Sequence, residues 1–206
     1  MNKAISEKVL FFDMEMIPAE EEKRPMLEEW FREKGKEESE IGSAFEYTSV
    51  DGAWGRVLCI AYAFGEGEIE ALYDESLDEK KIIEEFWKKV DACDVIVGHK
   101  ILDADLLFLH QRSIVLGITP SRYYNLEGGY DERVFDSAWE WGRGKKYASL
   151  EKLTMALGLP NPKKEMHGSQ VPKYHREGRD GEIIEYCKQD TEAVRGIYKK
   201  IVATRL

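Results

Sequence analysis

The 206-residue sequence contains only three cysteines, and they form no metal-binding pattern. Cys59, Cys93 and Cys187 lie in separate apolar segments, which favours reduced thiols in the protein interior. No apolar run approaches the length of a transmembrane helix, and the charged N-terminus lacks the apolar centre of a signal peptide. With a hydrophobic content of 43%, these features favour a soluble globular protein without a membrane partner, and we expect it to be cytoplasmic.

Positive charge is also scarce. The chain has 30 Lys and Arg against 40 Asp and Glu, a net charge of −10, which argues against tight, purely electrostatic binding of nucleic acid. Residues 141–180 are the exception, with nine Lys or Arg and four Asp or Glu. This basic stretch is the one plausible track for a polyanion, and the alternative is a loop of solvated lysines.

Length and hydrophobic patterning predict one domain over residues 1–206, with an insertion at about 17–55. The first strand begins at Val9, and residues 56–64 and 69–73 form a hairpin. The later elements are predicted to be strands at 94–98 and 134–135, a helix that ends at Val90 and is capped by Ser76 or Asp78, and helices at 103–115, 149–157 and 182–203. This order indicates an α/β fold, with a mixed sheet of about five strands, the first three antiparallel, flanked by helices.

Two segments have weaker patterns. Within the insertion, apolar residues recur at helical spacing from Met26 to Phe31, so we predict one surface helix within 19–40 and a loop at 43–55. A passive excursion is favoured over a mobile lid. Residues 168–181 are predicted to be a polar loop.

Two carboxylates end the first predicted strand. Successive side chains of a strand alternate between its faces, so Asp13 and Glu15 project from the same face at the C-terminal end. Like charges placed there repel each other and lose hydration unless a cation or a donor lies between them. A hard dication such as Mg²⁺ would satisfy both. The alternative is that both side chains simply enter solvent.

The last predicted helix carries an acid on its apolar face. Ile183, Cys187 and Val194 belong to that face, and the 3.6-residue period places Asp190 among them. An inward-facing Asp needs a partner, which could be neighbouring backbone or a ligand. Tyr186 lies one helical turn earlier, so its hydroxyl can reach the same place.

A further acid, Asp105, lies in the first turn of the helix predicted at 103–115. The apolar face of this helix consists of Leu102, Leu106, Leu109 and Ile114. An acid here has an ordinary explanation, because helix N-termini favour Asp, and Asp103 is a candidate for the cap. Asp105 gains interest only together with the other carboxylates.

Four carboxylates therefore lie at the ends of predicted core elements: Asp13, Glu15, Asp105 and Asp190. A sheet can bring such ends to one edge. A ligand set of carboxylates without Cys or His suits the oxygen-preferring ions Mg²⁺ and Mn²⁺.

These residues resemble, in order, three motifs of the DEDD-type 3′–5′ exonucleases of the ribonuclease H-like superfamily. The motifs are Asp13-Met14-Glu15, then Gly98-His99 followed by Asp105 and Phe108-Leu109, and then Tyr186 with Asp190. A tyrosine four residues before the last Asp is typical of the Tyr branch. Segments between Gly142 and Cys187 are similar to predicted exonucleases related to the proofreading domain of family B DNA polymerases.

The resemblance implies a ribonuclease H-like fold and a specific reaction. This is hydrolysis of the terminal phosphodiester at the 3′ end of single-stranded DNA or RNA, with DNA favoured over RNA, to nucleoside monophosphates. Two divalent ions, Mg²⁺ or Mn²⁺, roughly 3.5–4 Å apart would activate water and stabilise the leaving oxygen. The implied roles are a bridge between both ions for Asp13, the first ion for Glu15 and Asp190, the second ion for Asp105, and orientation of the attacking water for Tyr186.

The expected substrate-binding residues are Met14, Met16, His99, Lys100, Lys145, Lys146 and Lys173. The chain departs from the family at two places. Lys100 stands where Asn is usual, and Ala104 stands where Phe is usual. Those family positions help to hold the terminal nucleotide, so the departures affect the expected binding of substrate more than the expected catalytic reaction.

Two other functions compete with this one. A catalytically silent nucleic-acid-binding domain could use the same fold, but the intact carboxylates and Tyr186 argue for an enzyme. A phosphohydrolase with Asp13 as nucleophile is disfavoured, because Glu15 stands where a second Asp is usual and the expected Lys motif is missing.

Overall fold

Five strands form one mixed sheet at the centre of the protein. The computed structural model describes residues 5–124, 131–161 and 166–204. The strands are β1 (Val9–Ile17), β2 (Arg56–Phe64), β3 (Glu70–Tyr73), β4 (Val95–Gly98) and β5 (Val134–Asp136). Their order is β3-β2-β1-β4-β5, with β2 antiparallel to both β1 and β3, and with β4 and β5 parallel to β1. The predicted α/β fold with a mixed sheet of five strands is confirmed.

Helices cover both faces of this sheet. They are α1 (Arg24–Glu33), α2 (Glu38–Tyr47), α3 (Glu79–Asp91), α4 (Asp105–Leu116), α5 (Ser137–Gly142), α6 (Leu150–Ala156), α7 (Val171–Arg176) and α8 (Asp180–Ala203). The apolar sides of α3 and α4 pack on one face, and α6, α7 and α8 pack on the other. Among the described residues, no helix combines the length and the apolar character needed to cross a membrane.

The central strand β1 has both faces covered, because it lies between β2 and β4. Leu10, Phe12 and Met14 pack into the core formed with α3 and α4. Phe11 faces the other way, into the core formed with α6 and α8. Strand alternation therefore turns the next two odd-numbered positions, which carry carboxylates, toward α8 as well.

The insertion is not one helix and a loop, as the sequence predicted. It forms a helical hairpin, in which α1 and α2 share a small apolar cluster with Leu27, Phe31, Ile41 and Phe45 fully or nearly buried. The chain reverses at Gly35, whose φ of +85° suits glycine. The side chain of Glu40 then accepts a hydrogen bond of 3.0 Å from the backbone of Glu37, which caps α2.

Other predicted boundaries are also corrected. Residues 168–181 are not a polar loop, since a 3₁₀ turn and α7 form there, and α5 was not predicted at all. Asp103 does not cap α4, whose first residue is Asp105 and whose cap position is Ala104. Ile114 is 68% exposed rather than part of the buried face of that helix.

Candidate active site

The C-terminal end of β1 delivers two acids to one place. Asp13 is half-buried and Glu15 is 8% exposed. Glu15 lies opposite Cys59 of β2, and the pairing then slips, so that Met16 lies opposite Val57. Irregularities of this kind bend a strand and re-aim its side chains, and they are common beside active sites. Within the described part of the chain, the Glu15 carboxylate forms no hydrogen bond or ion pair, although it is more than nine-tenths buried.

Helix α8 contributes the third acid from the opposite side. Asp190 is 5% exposed and lies among the apolar residues of the buried face, as the sequence predicted. Tyr186, at 4% exposure, directs its hydroxyl to the Asp190 carboxylate. Burial and the negative charge of Asp190 raise the pKa of Tyr186 above its usual range, so the phenol is neutral at physiological pH.

The fourth acid, Asp105, begins α4 and is 8% exposed. Burial raises the pKa of Asp105 to about 7, and a nearby carboxylate, that of Asp136, adds to the increase. Its negative charge is close enough to contribute to the raised pKa of Asp13. The four carboxylates predicted from the sequence are therefore electrostatically linked across β1, α4 and α8.

Burial is the largest cause of the raised pKa values in this cluster. It raises the pKa of Asp13 well above the usual range, and the charges of Asp190 and Asp105 raise it further. The pKa of Glu15 is raised well above the usual range by burial first and by Asp13 second. Carboxylates so placed are held as neutral acids unless a cation compensates them. Such a cluster of hard oxygen donors fits a divalent ion such as Mg²⁺ or Mn²⁺.

A cleft of about 340 Å³ opens this cluster to solvent. Asp13 and Asp190 lie on its floor, and His99, Lys100 and Tyr147 belong to its walls. Tyr147 is 43% exposed, and its hydroxyl interacts with Asp103. The cleft is thus open, polar and lined by both acids and a lysine, as a site for a charged substrate requires.

Asp136 is the structural residue that the sequence prediction missed. It ends β5, is 2% exposed, and accepts backbone hydrogen bonds from Lys100 at 2.9 Å and Leu102 at 3.1 Å. Its Oδ1 also accepts bonds from the first turn of α5, at 2.9 Å from Ala138. The carboxylate therefore holds the loop between β4 and Asp105. An Asp at a strand end followed by Ser is a capping signal that could have identified it.

The wall residue Lys100 adopts an unusual backbone conformation. Its φ is +62°, in the left-handed region, which costs a residue other than glycine roughly 1 kcal/mol or more. The bond to Asp136 compensates this strain. Asn enters the left-handed region more readily than Lys, which explains physically why Asn suits this position in the resembled family.

The remaining residues predicted to bind substrate are distributed unevenly. His99 is half-buried, with Nδ1 2.8 Å from Ser137 Oγ. Met14 is 4% exposed in the core on the other face of the sheet, and Met16 packs against the same core. The side chain of Met14 therefore has no access to the cleft.

The three lysines of the basic stretch that were predicted to bind substrate, Lys145, Lys146 and Lys173, are all exposed. Lys145 and Lys146 immediately precede the cleft residue Tyr147. Lys173 lies on α7 with its ammonium 3.9 Å from Glu177, a weak surface ion pair. Part of the basic stretch, residues 162–165, lies outside the described residues.

The fold and the site together define an α/β protein of the ribonuclease H-like class with a carboxylate centre at the end of its central strand. Residues 54–203 match a family described as a predicted 3′–5′ exonuclease related to the exonuclease domain of PolB. The chain belongs to this family. The matched segment contains Asp105, Tyr186 and Asp190, whereas Asp13 and Glu15 precede it.

The fold is also similar to part of a solved polymerase. Over 94% of this chain, it superposes on the family B DNA polymerase from the hyperthermophilic archaeon Pyrobaculum calidifontis, with a TM-score of 0.63 and 20% sequence identity. The similar region covers 24% of the polymerase chain, so the likeness concerns the fold of one portion of that enzyme. No curated protein matches the sequence at a significant level.

Proposed function

We propose that this protein is a metal-dependent 3′–5′ exonuclease that removes nucleoside monophosphates from single-stranded nucleic acid, with DNA preferred over RNA. The observation that carries the proposal is the convergence of Asp13 from β1 and Asp190 from α8 on the floor of one open cleft, with Glu15 and Asp105 buried beside them. The 3′–5′ direction rests on the family. The preference for DNA rests on the polymerase-like fold.

Asp13, Glu15, Asp105 and Asp190 would hold the divalent ions. When bound, Mg²⁺ or Mn²⁺ supplies activation of water and stabilisation of the leaving 3′ oxygen. The protein's contribution is a rigid and partly dehydrated cluster, because apolar core packs on both faces of β1 and on the buried face of α8. This cluster also compensates for the net charge of −10, since its ions attract the phosphate that the protein surface repels.

Tyr186 is placed to orient the attacking water. Its hydroxyl interacts with Asp190, and the raised pKa keeps the hydroxyl proton in place. The phenol therefore acts as a hydrogen-bond donor and a positioning group rather than as a base.

The walls of the cleft would position the terminal nucleotide. Lys100 offers a cation to a phosphate, and half-buried His99 offers a polar edge. The exposed ring of Tyr147 is suited to stacking with a base, and Lys145 and Lys146 extend the positive charge outward. We do not assign Met14 a side-chain contact, because it belongs to the core.

A nuclease assay on three forms of one oligonucleotide tests the proposal. A 3′-labelled strand should release a labelled mononucleotide at once, a 5′-labelled strand should shorten progressively, and a circular strand should stay intact. DNA should be degraded faster than RNA, and EDTA should stop the reaction. Cleavage of the circle would show an endonuclease instead. Binding of the strands without any hydrolysis in Mg²⁺ or Mn²⁺ would favour the silent binding domain.

Replacement of Tyr186 by Phe should slow turnover by about 10²-fold or more, the lower range for a group that positions a proton. Fold and metal affinity should survive, because the ring keeps its packing and the hydroxyl is not a ligand. The measurement is a single-turnover rate on a 3′-labelled strand at saturating Mn²⁺. Tyr73→Phe is the matched control. The Tyr73 hydroxyl donates to Asp180 at 3.1 Å, and Asp180 is not one of the four carboxylates proposed to hold metal. An undiminished rate for Tyr186→Phe would disprove the role of this tyrosine.

Neutralising Lys145, Lys146 and Lys173 together should weaken binding of single-stranded DNA and flatten its salt dependence. Each lost phosphate contact should remove about 0.7 from the log–log slope. Binding is measured by fluorescence anisotropy over a range of KCl, with Ca²⁺ replacing the catalytic ions. The control neutralises three exposed lysines on α3 and α8, namely Lys80, Lys88 and Lys200, which changes the net charge equally. Equal slopes for both triple variants would show that these three lysines of the basic stretch are solvated and do not contact the phosphates.

A further inference from the structure

A thiol lies directly beneath the catalytic carboxylates and has no part in the proposed reaction. The sulfur of Cys187 is 3.6 Å from Asp13 Oδ2 and 3.3 Å from the Asp13 carbonyl oxygen, to which it donates. Ligand atoms of Asp13, Glu15 and Cys187 all lie within 4.8 Å of one another. Cys187 is fully buried, and its sulfur contacts the carboxylate of Asp13 rather than solvent.

The local fold explains this arrangement. Asp13 and Glu15 project from β1 toward α8, and Cys187 lies on the buried face of α8 one turn before Asp190. A second thiol, that of Cys59, interacts with Cys187 and lies opposite Glu15 in the sheet. The two buried sulfur atoms therefore lie next to the oxygen donors of the site.

The spacing of these atoms matches a particular coordination chemistry. Tetrahedral zinc binds sulfur at about 2.3 Å and carboxylate oxygen at about 2.0 Å, which separates the two ligand atoms by about 3.5 Å. The observed separation of Sγ and Oδ2 is 3.6 Å. A metal ion could thus replace the thiol proton with little movement of either atom. Glu15, nine-tenths buried and without a hydrogen bond in the described chain, supplies a third donor directed into the cluster.

Thiolate ligands distinguish metals sharply. Mg²⁺ and Mn²⁺ prefer oxygen donors, whereas Zn²⁺ and Cd²⁺ bind thiolate strongly. A soft ion would therefore use the sulfur, and a catalytic ion would not.

We propose that Asp13, Glu15 and Cys187 form a thiolate-containing site that captures zinc-like cations and thereby inhibits the enzyme. On binding, the thiol releases its proton to solvent and the sulfur bonds the metal, with no change in oxidation state. The captured ion takes the carboxylate of Asp13 away from its catalytic role. The inhibition rests on the proposed function, but capture of the ion does not.

Titration of the metal-free full-length protein with Cd²⁺ tests the capture directly. Cadmium bound to thiolate has an ultraviolet charge-transfer band, which reports the sulfur ligand independently of activity. Wild type should develop this band with one equivalent of Cd²⁺. Cys187→Ala should lose the band and bind Cd²⁺ at least about tenfold more weakly, whereas its affinity for Mn²⁺, measured by calorimetry, should change less than about threefold.

Cys93→Ala is the matched control, because this buried cysteine donates to the Val90 carbonyl on the other side of the sheet. It should keep the band and the affinity of wild type. Cys187→Ser keeps a side chain closer in size to cysteine than alanine is and should also lose the band, which provides a second variant if the alanine variant misfolds. Absence of the band in wild type, or its retention in both Cys187 variants, would overturn the proposal.

Inhibition is measured separately, as the Zn²⁺ concentration that halves the Mn²⁺-supported nuclease rate of each variant. An equal value for wild type and the Cys187 variants would disprove inhibition through the thiol.

Discussion

The substitution Asp13→Asn is expected to abolish hydrolysis and, in the absence of metal, to make the protein more stable at alkaline pH. Asp13 lies on the cleft floor, where its charge would be shared by the bound ions. Loss of several kcal/mol of transition-state stabilisation corresponds to a rate reduction of at least about 10³-fold. The stability effect has the opposite sign because the same charge is costly when no ion is present.

The sign of the stability effect follows from proton linkage. Burial, together with Asp190 and Asp105, raises the pKa of Asp13 well above its value in the unfolded chain, which is about 4. A carboxyl with a raised pKa contributes its stability below the unfolded pKa and loses it as pH rises through the folded pKa. The advantage of Asp13→Asn should therefore be small near pH 4.5 and should exceed about 1 kcal/mol at pH 8, since one pKa unit corresponds to about 1.4 kcal/mol.

Urea unfolding in EDTA at these two pH values measures the effect. Saturating Mn²⁺ should stabilise wild type, because it binds only the folded state, and should stabilise Asp13→Asn much less. Asp91→Asn, at the exposed end of α3, is the control for loss of one negative charge. If Mn²⁺ stabilises wild type and Asp13→Asn equally, the carboxylates do not form a metal site.

Loss of Arg112 should destabilise the protein by about 3–5 kcal/mol, the cost of leaving one buried charge without its partner. Arg112 and Glu79 are 3% and 6% exposed and form two hydrogen bonds, of 2.7 and 2.9 Å. Arg112 also donates to the carbonyls of Gly52 and Ala53, and Glu79 accepts from the backbone of Val57. The pair thus fastens the end of the insertion to α3, α4 and β2.

Urea unfolding of Arg112→Leu, Glu79→Gln and the double variant measures this pair as a thermodynamic cycle. The double variant should be more stable than Arg112→Leu, because no charge remains buried alone. Arg32→Leu is the control, since Arg32 pairs with Glu38 at 2.9 Å on an exposed surface and should lose less than about 1 kcal/mol. If Arg112→Leu lowers the free energy of unfolding by less than about 1 kcal/mol, the buried pair does not stabilise the packing of the insertion on the domain.

The core elements could be predicted because their side chains carry periodic signals. The alternation of β1 placed Asp13 and Glu15 on one face, and the stripe of α8 placed Asp190 among buried residues, as the structure has them. Both signals come from long elements, where periodicity outweighs the identity of any one residue.

Short and tertiary features could not be read in the same way. Helices α5 and α7 have six residues each, too few to establish a period. The hairpin of α1 and α2 depends on a reversal at Gly35 and a cap from Glu40, signals that the charged composition of the insertion obscured. Asp136 caps α5 through local bonds, but its bonds to the backbone of Lys100 and Leu102 join residues that are distant in sequence, so no local pattern reveals them.

The most direct test of the central claim is a crystal structure with Mn²⁺ and anomalous diffraction data. We predict anomalous peaks in the cleft, bounded by the carboxylates of Asp13, Glu15 and Asp190 and extending toward Asp105, and their loss in crystals of Asp13→Asn. Wild-type crystals with no anomalous density among these carboxylates at saturating Mn²⁺ would contradict the account.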